Sequence, residues 1–409
     1  MKPTLVIVGA SLAGAKAAEG ARDAGYEGRV VLVGDEPHPP YERPPLSKAV
    51  LRGEAEPDST RVQPLDFYAE HDIELVTDEV TAVDPAGRRV RLAGGLQLPF
   101  DSLVMATGAS PRRLDVPGAD LDGVHYLRTL DDSLALRDAI RDTARVVVIG
   151  AGWIGSEVAA SARQMGVDVV LVDPGPAPLR RVVGDEVGEM FVRLHADHGV
   201  TLRMGSEVRE LRGAGHVEQV VLADGRIEVA DVVVVGVGVV PRTDLAEAAL
   251  GIRVDNGIVV DAHLESTVPG IYAAGDVANA WHPHYERYLR VEHWANALNQ
   301  GFAAGRNAAG RVEPYDRLPY FFSDQYELGL EYVGHASPDA ALVVRGDLDE
   351  RAFVAFWHRD GVVTAAMAVN IWDVVDDLKT IVESASPVDV RRLTSVDVPL
   401  TELSRASKR

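Results

Sequence analysis

The segment Gly150-Ala-Gly152-Trp-Ile-Gly155 places three glycines at the spacing that lets a chain turn sharply out of a strand and into a helix. Such a turn leaves the first helical N–H groups unpaired and aims the positive end of the helix dipole outward, which suits the pyrophosphate of a dinucleotide. About 20 residues further on, Asp173 closes an apolar run and offers a carboxylate to a ribose 2′-hydroxyl. Near the start of the chain Gly9-Ala-Ser11-Leu-Ala-Gly14 repeats the pattern, with Ser11 in place of the middle glycine and Asp35 at the position that Asp173 holds. One such motif is weak evidence, because strand-to-helix glycines also serve packing and a lone Asp35 or Asp173 reads as a solvated turn carboxylate. Two in tandem, each followed by its acid, point to two dinucleotides on one chain.

The elements that must hold these turns are legible around them. Thr4 to Gly9 is a β-branched run, Ala13 to Ala24 is alanine-rich and free of proline, and Arg29 to Gly34 is a second apolar strand, together one βαβ unit with a right-handed crossover. The order returns as Arg145 to Gly150, a helix through Gly166, and Asp168 to Asp173, an internal duplication. Between the two, His38 to Pro45 holds four prolines, which predicts a rigid extended loop without regular structure. After residue 315, short strands are expected at Tyr326 to Val333, Ala341 to Arg345, Ala352 to His358 and Val362 to Val369, with a hairpin at Arg359-Asp360-Gly361. The fold class is α/β, two tandem Rossmann-like dinucleotide-binding domains followed by a C-terminal α+β domain.

Composition narrows the chemistry. The 409 residues include no cysteine, which removes disulfides, thiolate metal sites and cysteine nucleophiles, so redox chemistry must come from an organic cofactor. With 62 acidic against 41 basic residues the net charge is −21, a field that repels nucleic acid and anionic membranes. No signal-peptide pattern precedes the first strand, the longest apolar run, Val232 to Val240, is too short to span a bilayer, and the charged tail from Arg391 to Arg409 lacks an apolar face; a cytoplasmic protein is expected. His282-Pro-His284 has no third ligand at helical or hairpin spacing, so no metal is assigned.

The chain resembles the two-dinucleotide-binding-domain flavoprotein reductases, and among them the bacterial ferredoxin reductases that serve oxygenase systems. The resemblance runs through Val33-Gly-Asp-Glu36, Pro40 to Lys48, Met105-Ala-Thr-Gly108, Tyr126 to Leu130, Gly236 to Pro241, Ile271 to Asp276 and Ser323 to Tyr326. It implies FAD on the first repeat and NADH on the second, with an FAD-binding domain of residues 1–110 and 244–315, an NAD-binding domain of 111–243 and a C-terminal domain of 316–409. It gives Arg43 and Arg128 to the pyrophosphate and adenosine end of FAD, Asp276 with Gly275 to the ribityl chain, and the backbone of Trp294 to the flavin pyrimidine edge. Ala13, Val80 and Gly238 join the glycines, Ser11, Asp35 and Asp173 among its cofactor-binding positions. Lys48 and Glu157 are its catalytic pair, beside the flavin and the nicotinamide. Tyr320-Phe-Phe-Ser323 departs from it, since tryptophans are usual there.

The blander readings are a surface Lys48, an exposed helical Glu157, a core Trp294, and a Trp153 that either covers the flavin or packs on the sheet. The activity implied is electron transfer from NADH through FAD to a 2Fe–2S ferredoxin that feeds a monooxygenase or dioxygenase. A signalling flavoprotein of the apoptosis-inducing-factor type, slow with NADH, is the alternative; a disulfide reductase would need a cysteine. An acidic ferredoxin calls for a local basic patch, for which Arg287, Arg290, Arg306 and Arg311 are candidates, the other reading being internal ion pairs with Glu286 and Glu313.

Overall fold

The computed structural model describes residues 2–337 and 339–404, so the last five residues of the charged tail lie outside it. The chain forms two compact units, one of residues 1–42, 58–110 and 240–319, the other of 43–57, 111–239 and 320–409.

In the first unit five parallel strands stand in the order Ile271–Ala273, Ser102–Met105, Thr4–Val8, Arg29–Gly34, Ile73–Thr77. Thr4–Val8 is central and pairs in register with Arg29 to Val33 on one side and Ser102 to Met105 on the other. Its apolar side chains are buried on both faces, which is why the strand reads as a continuous run instead of an alternation. A three-stranded antiparallel meander, Val80–Asp84, Arg89–Leu92 and Gln97–Pro99, is inserted before the fourth strand.

The second unit repeats this plan. Its parallel sheet runs Val124–Tyr126, Val232–Val235, Arg145–Ile149, Asp168–Asp173, Thr201–Met204, and it too inserts a three-stranded meander, Val208–Arg212, Gln219–Leu222 and Ile227–Val229, before the strand Val232–Val235. The duplication therefore extends beyond the two glycine motifs to strand order and insertion. Only the outer strand differs in origin, arriving late in the chain in the first unit and early in the second.

The C-terminal segment is an antiparallel sheet in the order Tyr320–Gln325, Leu328–Gly334, Val362–Val369, Ala352–Arg359, Ala341–Asp347. Its inner face, including Leu330, Phe353, Trp357 and Met367, shares one core with Val183, Val187, Met190, Phe191 and Leu194 of the helix Arg180–Asp197. That shared core is why residues 320–409 group with the second unit instead of standing alone. The strand Tyr320–Gln325 was not expected from sequence, and the proline segment ends differently from expectation: Pro44–Ser47 is a 3₁₀ turn. Prolines at the first helical positions need no N–H partner and arrive with the right φ, so they start a turn as readily as they forbid a longer helix.

Candidate functional site

Both glycine turns sit at the carboxyl end of a central strand, where the strand order reverses, the place at which open α/β sheets take ligands. In the first unit Gly9 has φ +110°, and a Cβ there would lie 2.2 Å from Ala106 O; one on Gly14 would lie 1.9 Å from Gly9 O. In the second unit Gly150 has φ +99° and a Cβ would meet Gly236 O at 2.4 Å, while one on Gly155 would meet Gly150 O at 1.9 Å. These four positions are glycine for internal reasons of packing and backbone conformation. Gly152 is different: its φ is −76° and a Cβ would meet no protein atom within 4 Å. No protein neighbour demands glycine at this position, and the space it leaves at the helix N-terminus fits a bound dinucleotide. Ser11 is the N-cap of the first helix just as Gly152 is of the second, so a small side chain at that place is compatible with the same turn.

Around the first turn three further segments converge within the unit. The helix Leu12–Asp23 packs so closely on the helix Trp294–Ala308 that a Cβ on Gly301 would lie 2.3 Å from Ala13 O and one on Gly305 1.9 Å from Ala17 O. Gly275 abuts Ala13, and its N–H donates to the buried Gln300 Oε1 at 3.0 Å, fixing the turn that carries Asp276. Trp294 opens its helix after the N-cap His293, so its backbone stands at the positive end of that helix's dipole. Gly9, Ser11, Ala13, Gly14, Gly275, Asp276 and the Trp294 helix thus form one cradle. Val80 begins the meander with its side chain in the core, leaving only its backbone for a ligand, and Asp35 pairs with Arg242 at 3.0 Å on the surface. Gly301, Gly305 and Gln300 were missed in the sequence, although the Gly-x-x-x-Gly spacing of the first two was the signal for close helix packing.

In the second unit Asp173 holds the glycine turn itself: Oδ2 accepts from Ala151 N at 2.8 Å and Oδ1 from Gly175 N at 2.6 Å. Gly238 has φ +101° and open space where a Cβ would stand. Arg43 donates to the carbonyl of Arg128, whose own N–H is held by Asp132 Oδ2 at 3.0 Å in the capping box that starts the helix Leu130–Arg141. These two guanidinium residues, 85 positions apart, are brought together.

A buried polar cluster surrounds Glu157. It lies one turn into the helix Trp153–Gln164 and is 5 % exposed. Its Oε2 accepts from Ser47 Oγ at 2.5 Å and pairs with Lys48 Nζ at 2.9 Å, while Oε1 accepts from Ser323 Oγ at 2.7 Å. The loop bearing Ser47 and Lys48 is pinned from two helices, Ser133 Oγ donating to Leu46 O at 2.7 Å and Ser161 Oγ to Ser47 O at 2.6 Å. Lys48 Nζ also lies 5.9 Å from the Phe322 ring centre. An exposed glutamate and a surface lysine are therefore not what the fold builds; it builds a buried, saturated ion pair. Neither serine was singled out in the sequence. Trp153 packs edge-on to Phe321 at 4.8 Å.

The basic patch expected around Trp294 is only partly available. Arg306 is engaged by both Asp23 and Glu313, and Arg290 by Glu292, because an acidic chain supplies carboxylates within reach of most arginines. For these two the ion-pair reading replaces the docking one.

Two parallel sheets, each with a glycine turn at its switch point, define an oxidoreductase fold that carries two dinucleotides. The chain belongs to the pyridine nucleotide-disulphide oxidoreductase family, which residues 3–301 match, and residues 320–404 match the reductase C-terminal family. It is 38 % identical to putidaredoxin reductase of Pseudomonas putida over 99 % of this chain and 97 % of that one. It is 37 % identical to the ferredoxin–NAD(+) reductase component of the anthranilate 1,2-dioxygenase system of Burkholderia cepacia, covering 97 % of this chain and 98 % of that one. Among solved structures, the reductase of a covalent putidaredoxin reductase–putidaredoxin complex superposes with a TM-score of 0.94 at 37 % identity, covering 98 % of each chain.

Proposed function

We propose that this protein is an FAD-dependent NADH:ferredoxin oxidoreductase that passes electrons to a 2Fe–2S ferredoxin of an oxygenase system. The observation that carries the reading is the duplicated glycine turn, with open space at Gly152, in a family member that has no cysteine. Disulfide chemistry is closed to such a chain, and the relatives are named as reductases that serve ferredoxins. FAD, when bound, supplies the conversion between a two-electron hydride from NADH and the single electrons that an iron–sulfur cluster accepts.

The protein's part is to bind, orient and polarise. We assign FAD to the cradle of Gly9, Ser11, Ala13, Gly14, Gly275 and Asp276, with Asp35 and Val80 as flanking positions. The start of the Trp294 helix would direct the positive end of its dipole toward the flavin ring, which favours negative charge there. NADH is assigned to Gly150, Gly152, Gly155, Asp173 and Gly238, and Arg43 and Arg128 to the charged end of FAD. Lys48 and Glu157 are assigned to the catalytic centre: three donors on one carboxylate hold the pair in a single geometry, so the ammonium is presented without a search. The division into domains at 1–110 with 244–315, 111–243 and 316–409 is kept as the functional partition. A cytoplasmic setting is proposed because NADH is its reductant. Nothing in the geometry favours the signalling alternative. The test is an acceptor screen on the purified protein: one non-covalent FAD per chain and NADH turnover that rises steeply on adding a 2Fe–2S ferredoxin are expected, and a folded, colourless protein that cannot take up FAD overturns the reading.

A further inference from the structure

We propose that Asp185 is a specificity-determining residue, excluding NADPH by neutralising Arg180 beside the adenosine ribose subsite; the inference rests on the assignment of NADH to the second glycine turn. The loop from Asp173 to Arg180 is tied at both ends to one residue of that turn. Ala151 N donates to Asp173 Oδ2 at 2.8 Å, and Leu179 N donates to Ala151 O at 2.9 Å. Leu179 is buried with φ +59°, a strained conformation for a leucine that fixes where the next residue leaves the loop. Arg180 therefore emerges one residue from a point bonded to the turn, at the end of the loop that Asp173 begins.

A guanidinium in that place is what a 2′-phosphate needs, since a planar fork matches a phosphate dianion. Here the fork is already matched. The helix Arg180–Asp197 is broken at Gly184, φ +82°, and this break brings the Asp185 carboxylate back to Arg180, which reaches it through both Nε and Nη2, the latter at 3.2 Å from Oδ2. Both side chains are exposed, so the pair adds little to stability, and its effect is on the local field. With Asp173, Asp185 and Glu186 against Arg180 and Arg181, this stretch carries a net negative charge where the extra phosphate of NADPH would arrive. Asp173 alone repels that phosphate; Asp185 also removes the cation that would otherwise compensate.

The experiment is calorimetric titration of the FAD-loaded full-length protein with AMP and with adenosine 2′,5′-bisphosphate, alongside kcat/KM for NADH and NADPH. Asp185→Asn should move both ratios toward the phosphorylated ligand by about fivefold or more. Asp185→Glu should keep the wild-type ratios, and adding Arg180→Ala to Asp185→Asn should return them to wild type. Ratios that stay within about twofold in Asp185→Asn, or a gain that survives Arg180→Ala, overturn the proposal while leaving NADH binding in place. A wild-type protein that turns over NADH yet does not bind AMP overturns the proposal and the assignment of the turn together.

Discussion

Glu157→Gln isolates what the buried cluster contributes. The substitution keeps the side-chain volume but removes the charge, and it turns an NH₂ toward at least one of three groups that are themselves donors, Ser47 Oγ, Lys48 Nζ and Ser323 Oγ. Lys48 is then left largely buried without its counter-ion, which costs about 3–5 kcal/mol. Removing one hydroxyl alone, as in Ser323→Ala, deletes a single hydrogen bond to a charged acceptor and should cost about 1.5–3 kcal/mol. The combined variant Glu157→Leu, Lys48→Met, Ser47→Ala and Ser323→Ala removes the charge, its counter-ion and both hydroxyl donors together and should lie within about 1 kcal/mol of wild type, since a well-packed apolar cluster replaces a desolvated ionic one. Urea unfolding of the FAD-loaded protein, followed by far-UV circular dichroism, gives the three values. A loss below about 1 kcal/mol for Glu157→Gln, or a combined variant no more stable than Glu157→Gln, would refute the reasoning that the pair is buried and mutually dependent.

Three further outcomes follow from the same geometry. His195 is fully buried, with Nε2 against Gln325 Oε1 at 3.1 Å; burial pushes its pKa down to about 4, against the opposing pull of the Gln325 hydrogen bond. Because the folded value lies below the unfolded one of about 6.5, the stability it contributes is present above pH 6.5 and is lost as pH falls to 4, by about 3 kcal/mol, a slope that acid denaturation should find reduced in His195→Gln. Gly152→Ala meets no protein atom within 4 Å and should fold with a change of under about 0.5 kcal/mol while the KM for NADH rises several-fold, whereas Gly9→Ala, with φ +110° and a clash at 2.2 Å, should lose stability and FAD together. Arg306→Glu should lower the thermal midpoint by breaking its pairs with Asp23 and Glu313, and an effect confined to ferredoxin turnover would restore the docking role.

How much of this was legible depended on whether the signal was local. The strands Arg29–Gly34 and Asp168–Asp173 emerged at the residues expected, because β-branched runs bounded by glycine and aspartate have few other ways to fold. The glycine turns were readable for the same reason: close approach and positive φ leave a mark on residue type. Ser47 and Ser323 were not, because a serine carries no sign of its partner and these two meet Glu157 from 110 and 166 positions away. The strand Tyr320–Gln325 is not legible, because Ser323 and Asp324 interrupt its aromatic run, although both pair in register with Leu330 and Gly329. The pairing of Arg306 was undecidable from sequence, where Asp23 stands 283 residues distant.

The central claim is that a two-electron donor is coupled here to a one-electron carrier. An anaerobic titration in which limiting NADH is added to catalytic amounts of the protein and an excess of oxidised 2Fe–2S ferredoxin tests it most directly, with nicotinamide oxidation and ferredoxin reduction read from the same spectra. Two ferredoxins reduced for each NADH consumed is the predicted result. NADH consumed with no ferredoxin reduced, or no consumption by a protein shown to hold FAD, would contradict it.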